Sequence, residues 1–240
     1  MGSSRLPGKS MMHLAGEPLV GRIIERVKRC REVNTIVLAI PDTENDRVLE
    51  ELGNQHSIEV FIGSENDLVD RYYKAALKFK ADFIVRIPAD NTTPQFEEID
   101  RIINHHVLLG RPGFSSNLSV INDSGYPDGI GAEIFDFCLL ENVYLQETDP
   151  LKREHVHLNF YNYDLNMPVD EDWCPISTIK CPRSIRRPDL VLDVNTLEQY
   201  TFMCELYDAL YPSNPEFTIS DIITWYDSEY NGPIKSKNKN

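Results

Sequence analysis

Asp82-Phe83-Ile84-Val85-Arg86-Ile87-Pro88-Ala89-Asp90 carries a short apolar run into a proline and then a carboxylate. A β-branched run of this length, bounded by turn residues, is a strand buried on both faces. Thr35-Ile36-Val37-Leu38-Ala39-Ile40 reads the same way, while Ile58-Glu59-Val60-Phe61-Ile62 alternates and belongs nearer an edge. Helical periodicity fills the intervals: Pro18 to Arg31, Glu44 to Gln55, and Asn66 to Lys80. The last has Leu68, Tyr72, Ala75, Ala76 and Phe79 on one face, with Ser64 or Asn66 as cap. Strand and helix in turn, with short connections, make an α/β fold with a mainly parallel sheet flanked by helices.

The rhythm changes after Gly110. Strands are expected around Phe114 to Val120 and Gly131 to Phe137, on either side of the turn-rich stretch Asn122 to Gly129. Helices are expected at Phe137 to Gln146 and Leu151 to Tyr161, and a loop or flap from Asn162 to Trp173. Late strands at Ile176 to Cys181 and Leu190 to Val194 precede closing helices at Asn195 to Leu210 and Thr218 to Tyr230. The chain thus reads as one domain over residues 1–232, with an excursion over 110–175 and a disordered tail at 233–240.

With 240 residues the chain can bury a sizeable core, and its net charge of −14 argues against a nucleic-acid or anionic-membrane surface. No apolar run approaches spanning length and no signal peptide is visible, so a cytoplasmic location is expected. Cys30, Cys138, Cys174, Cys181 and Cys204 are scattered and show no zinc spacing, as incidental thiols in a reducing compartment would be.

Three features carry chemistry. The first is the loop Met1-Gly2-Ser3-Ser4-Arg5-Leu6-Pro7-Gly8-Lys9. Its small residues can turn backbone N–H groups toward an anion, and Arg5 and Lys9 can neutralise a polyphosphate. Such loops follow a buried strand, and here none precedes it. The second is Asp90, just beyond a strand end, where open α/β sheets bind their ligands. It suits a Mg²⁺ ligand near phosphates, or equally an N-cap. The third is Asp193, a lone acid in Leu190-Val191-Leu192-Asp193-Val194, which calls for a metal or Arg partner, or caps the helix near Thr196. Tyr126-Pro127-Asp128-Gly129 needs Asp-Gly for turn geometry alone. Lys152-Arg153-Glu154-His155 is a solvated helix face or a grip on a carboxylate or phosphate.

The opening loop resembles the signature of the cytidylyltransferases that make CMP-activated sugar acids. Gly63-Ser64-Glu65-Asn66-Asp67-Leu68-Val69-Asp70-Arg71-Tyr72-Tyr73, Tyr126-Pro127-Asp128-Gly129 and Asp149-Pro150-Leu151-Lys152-Arg153-Glu154-His155-Val156 bring the chain nearer the spore-coat polysaccharide biosynthesis branch. The likeness runs from residue 1 to about Asn195. It implies a nucleotide-diphospho-sugar-transferase-like, Rossmann-like domain with CTP as donor and Mg²⁺ as cofactor. The work implied is CMP transfer to a sugar acid with release of pyrophosphate, for surface polysaccharide or glycan precursors. Gly2, Ser3, Ser4, Arg5, Lys9, Asp70 and Arg71 would meet the nucleotide, with Arg5 and Lys9 on the β- and γ-phosphates. Asp90 and Asp193 would hold the metal. Asp128, Glu133, Arg153 and His155 would face the acceptor. The excursion over 110–175 would serve the acceptor and a homodimer contact.

Two departures accompany the likeness. The family pattern places an apolar strand before the loop, so the first strand is expected to be missing and Met1 to be an internal methionine. The segment before Asp90 reads Ile87-Pro88-Ala89 where relatives more often carry Thr-Gly. The rival readings are a guanylyltransferase, a cytidylyltransferase for a sugar phosphate or phosphonate, and a catalytically inactive nucleotide-binding protein.

Overall fold

The computed structural model describes residues 6–118, 121–230 and 232. Two short strands, β1 (His13–Leu14) and β2 (Glu17–Pro18), form an antiparallel hairpin ahead of helix α1 (Leu19–Val27). Then come β3 (Val37–Pro41), α2 (Arg47–Gln55), β4 (Glu59–Gly63), α3 (Leu68–Phe79), β5 (Phe83–Arg86) and α4 (Phe96–Leu109). The second half comprises β6 (Phe114–Ser116), β7 (Glu133–Asp136), α5 (Phe137–Gln146), α6 (Pro150–Glu154), β8 (Tyr161–Asn162), β9 (Met167–Pro168), β10 (Ile176–Ser177), α7 (Leu197–Leu210) and α8 (Ile219–Ser228).

The α/β alternation of the first half is as the sequence predicts. The sheet is less uniformly parallel. β3 and β4 pair in parallel, as do β6 and β10, but β7 runs antiparallel to both β5 and β6 in a four-stranded sheet ordered β10-β6-β7-β5. The cause is the connection between β6 and β7, which contains no crossover helix among its described residues and so returns the chain antiparallel. β3 and β5 were expected to be buried on both faces. Among the described residues each pairs along one edge only, and all their residues except Ile40 are half-buried.

Three further expectations are corrected. The helix expected over Leu151 to Tyr161 divides into α6, a 3-10 turn at Val156–Asn159 and strand β8. The flap from Asn162 to Trp173 includes a small β8–β9 hairpin. Leu190 to Val194 forms no continuous strand, yet it keeps strand periodicity, with Leu190, Leu192 and Val194 buried and Val191 and Asp193 half-buried. Single bridges, Asp128 to Val191 and Asn91 to Asp193, hold it in place. Val120 and the tail at 233–240 lie outside the described residues.

The main core gathers α1, α7, α8 and the Leu190–Val194 segment, with Leu19, Leu192, Val194, Met203, Leu206 and Phe217 fully enclosed. Among the described residues no helix is long and apolar enough to cross a membrane.

Candidate active site

The loop after β5 is built to present Asp90. Asn91 N–H closes a turn onto Pro88 O at 3.1 Å. The buried Gln95 then ties the loop down: its backbone N–H donates to Ile130 O at 3.0 Å, its Nε2 donates to Thr93 O at 3.1 Å, and its Oε1 accepts from Ile219 N at 2.9 Å. Tyr207 of α7 donates its hydroxyl to Thr92 O at 2.7 Å, and Arg26 of α1 donates to Pro94 O at 3.1 Å. Helix α4 begins at Phe96 after Gln95, so Asp90 is not its N-cap.

Asp193 sits on the bridged segment across this junction. Val194 N–H donates to Asp90 O at 2.9 Å, and Asn91 bridges Asp193. The capping box of α7 supplies the orientation. Thr196 Oγ1 accepts from Gln199 N at 3.2 Å, and Gln199 Oε1 accepts from Thr196 N at 3.0 Å. The same Gln199 amide donates from Nε2 to Asp193 Oδ1 at 3.3 Å, and Asn195 Nδ2 donates to Asp193 Oδ2 at 2.5 Å. Thr196 is therefore the cap, and Asp193 is a carboxylate held in place by it.

Lys9 completes the group. Gly8 adopts φ +73°, a conformation glycine reaches without strain, and leads into a 3-10 turn at Lys9–Met11. From there Lys9 Nζ reaches Asp90 Oδ2 at 3.2 Å and Val194 O at 2.9 Å. Lys9, Asp90 and Asp193, from three distant parts of the sequence, thus meet at one junction. Gly2, Ser3, Ser4 and Arg5 lie outside the described residues.

Asp128 and Gly129 border the same junction. Asp128 N–H donates to Leu190 O at 2.9 Å and Leu192 N–H donates to Asp128 O at 3.0 Å. Gly129 has φ +89°, and a Cβ there would stand 2.8 Å from the backbone nitrogen of Asp193. The turn is anchored from below by the fully buried Tyr126, whose hydroxyl bonds to Glu98 and to Arg101.

The other expected acceptor residues, Glu133, Arg153 and His155, have partners of their own. Glu133 is buried at the start of β7, where it pairs with Arg86 of β5 and accepts from the Tyr163 hydroxyl. Burial alone would raise its carboxyl pKa, but the Arg86 charge, His157 and these hydrogen bonds outweigh that and hold it below the usual carboxylate range. His157 closes the cluster. Burial lowers its pKa to about 4, with Glu133 opposing and Arg86 and His155 adding to the fall. Arg86 Nε and His157 Nδ1 are buried and have no partner among the described residues. Arg86, His157 and Tyr163 are site candidates that sequence reasoning passed over, although Arg86, like Asp193, is a lone charge in an apolar run.

Arg153 Nε donates to Asp67 Oδ2 at 2.7 Å, and its Nη1 donates to Tyr144 O at 3.2 Å and Glu147 O at 2.9 Å. His155 is exposed, its ring 5.9 Å from that of His157. Asp70 pairs with Lys74 at 2.8 Å. Arg71 is buried, donates from Nη1 to Ser64 O at 2.7 Å and leaves Nε without a partner among the described residues. The cap of α3 is Asp67, whose carboxylate accepts from Asp70 N, rather than Ser64 or Asn66.

Among the described residues no three His, Cys, Asp or Glu side chains gather as a metal cluster. The donor set at the junction instead fits a hard cation bound sparingly. Mg²⁺ is typically held by one or two carboxylates plus substrate phosphates. Asp90 and Asp193 offer that pair, and the Lys9 ammonium already stands at Asp90 as a cation would.

A family model described as cytidylyltransferase matches residues 1–222. The spore coat polysaccharide biosynthesis protein SpsF of Bacillus subtilis is 28% identical over 229 residues, covering 93% of this chain and 89% of its own. The solved structure of a cytidylyltransferase from Leptospira borgpetersenii superposes with a TM-score of 0.82 at 25% identity, over 95% of this chain and 90% of that one. A CMP:2-keto-3-deoxy-manno-octonic acid synthetase complexed with CTP shares the fold, with a TM-score of 0.61 at 14% identity over 87% and 95% of the two chains.

Proposed function

The chain belongs to the cytidylyltransferase family, and from that premise we propose that it transfers CMP from CTP to a sugar acid with release of pyrophosphate, for surface polysaccharide or glycan synthesis. The observation that carries the reading is the meeting of Lys9, Asp90 and Asp193 at one hydrogen-bonded junction. A phosphate-loop cation and two oriented carboxylates are what nucleotidyl transfer asks of a protein, since its work is positioning and charge stabilisation.

In this reading an acceptor hydroxyl oxygen attacks the α-phosphorus of CTP in line. A new P–O bond forms, the bond from the α-phosphorus to the bridging oxygen breaks, and pyrophosphate leaves with its electron pair while the hydroxyl proton passes to solvent. Arg5 and Lys9 would serve the β- and γ-phosphates, with Gly2, Ser3 and Ser4 on the nucleotide side of the same loop. Asp90 and Asp193 are the residues that would hold Mg²⁺, which supplies Lewis-acid charge to the phosphate and acceptor oxygens when bound. Asp70 and Arg71 serve the nucleotide side.

Asp128, beside Asp193, and the Glu133 cluster form the acceptor side. Tyr163 brings the β8–β9 hairpin onto Glu133, which supports the 110–175 excursion as the segment that reads the acceptor. His155 borders that cluster through His157, and Arg153 and His155 are the residues of the α6 segment that would face the acceptor.

The test has two stages. Thermal shift with Mg²⁺ and each of CTP, GTP, UTP and ATP should show selective stabilisation by CTP. Pyrophosphate release is then followed with CTP and a panel of sugar acids that includes 2-keto-3-deoxy-manno-octonic acid. A preference for GTP, or release that depends on a sugar phosphate, overturns the reading.

A further inference from the structure

Lys9 stands on a candidate metal ligand in this structure. Its Nζ lies 3.2 Å from Asp90 Oδ2 and 2.9 Å from Val194 O, so two of the three ammonium donors point at the junction. The side chain is 13% exposed and that of Asp90 27% exposed, so this is a half-buried pair.

We infer that Lys9 competes with a divalent cation for Asp90, and that a nucleoside triphosphate relieves the competition by drawing the ammonium onto its phosphates. The inference rests on the reading of this junction as a metal–triphosphate site, and it adds an order to the binding. A lysine ammonium is a compact charge on a flexible four-carbon stem. It can leave Asp90 for a phosphate oxygen by rotation of the side chain, with the Gly8 turn unchanged. While it stays, a metal must displace a resident positive charge to reach the carboxylate. Metal and nucleotide therefore bind as a coupled pair, and cation without nucleotide binds poorly. The protein thereby avoids holding a metal in a site that has no substrate.

The test is Mn²⁺ binding to the full chain, followed by electron paramagnetic resonance and calorimetry, in the wild type, Lys9→Met and Lys9→Gln. The glutamine variant keeps a donor for Val194 O and serves if the methionine variant loses its fold, which near-ultraviolet circular dichroism reports. With no nucleotide present, both variants should bind Mn²⁺ about tenfold more tightly than the wild type, within the usual range for coupled sites. CTP should then raise Mn²⁺ affinity less in the variants than in the wild type. Equal Mn²⁺ affinity in all three proteins, or no Mn²⁺ binding by any of them, overturns the competition. A tighter-binding Lys9→Met alongside a wild type whose Mn²⁺ affinity CTP leaves unchanged keeps the competition but overturns its relief by nucleotide and, with it, CTP as the donor, so the two failures are distinct.

Discussion

Arg153 Nε donates to Asp67 Oδ2 at 2.7 Å, which fastens α6 to the residue that caps α3. The same guanidinium takes the carbonyls of Tyr144 and Glu147 at the end of α5. One side chain therefore clamps three helices, and its planar fork suits that work where a lysine would not. Arg153→Ala is expected to cost about 1–2 kcal/mol in urea unfolding. Arg153→Lys should recover less than half of it. An acceptor KM effect with no change in stability would instead put Arg153 in contact with the acceptor.

Asp90→Asn should abolish Mg²⁺-dependent pyrophosphate release from CTP and acceptor while leaving the fold intact. The loop's backbone is held by Gln95, Tyr207 and Arg26, none of which touches the Asp90 carboxylate. The loss corresponds to about 3 kcal/mol or more of transition-state stabilisation, the scale of a deleted charge-stabilising group. Near-normal turnover would remove Asp90 from the mechanism.

Gly129→Ala tests whether the Asp-Gly turn matters beyond its own geometry. The new Cβ would face the Asp193 nitrogen and the Leu192 carbonyl carbon, both at 2.8 Å, from a residue at φ +89°. Both contacts are backbone, so the clash cannot be relieved by a side-chain rotation. The expected result is a loss of about 2–4 kcal/mol in stability from strain and displacement. A fall in kcat should accompany it as Asp193 moves. Wild-type kcat in a folded variant would uncouple the turn from Asp193.

The strands, most helices and the two aspartates were legible because each rests on local pattern: apolar runs, periodicity, and a charge in an unlikely place. Asp193 stood out for that last reason, and its partners, Asn195 and Gln199, lie within six residues of it. The Lys9–Asp90 contact spans 81 residues, and no local pattern announces it. What stayed hidden depends on packing between distant segments. The antiparallel β7 follows from how the chain returns after β6. The Arg86–Glu133–Tyr163–His157 cluster joins two strands to the β8–β9 hairpin, and no spacing in the sequence announces it. The run around Arg153 reads as a solvated helix face or a substrate grip, while the helix-clamping contact of Arg153 depends on Asp67, 86 positions away.

His157 gives that hidden cluster a measurable signature. Burial lowers its pKa from the ordinary 6.5 to about 4 in the folded protein. Between those values the unfolded chain takes up a proton that the folded chain refuses, so stability must fall as pH drops through the window. One such group imposes a slope approaching 1.4 kcal/mol per pH unit and a total of roughly 3 kcal/mol, less whatever solvent reaches the ring. Glu133 acts in the same direction but lower down. Its folded pKa is depressed below the ordinary 4.5, chiefly by the Arg86 charge, so its contribution is present above the unfolded pKa and lost as pH falls through the folded one. Denaturant midpoints taken at pH 7, 5.5, 4.5 and about 3 separate the two. His157→Gln should flatten the decline between pH 6.5 and 4.5 and leave the steeper loss at lower pH, where Glu133 and the other carboxylates titrate. An unchanged slope in that upper window would mean that His157 is solvated when folded, and the cluster at the end of β5 would then be open to water.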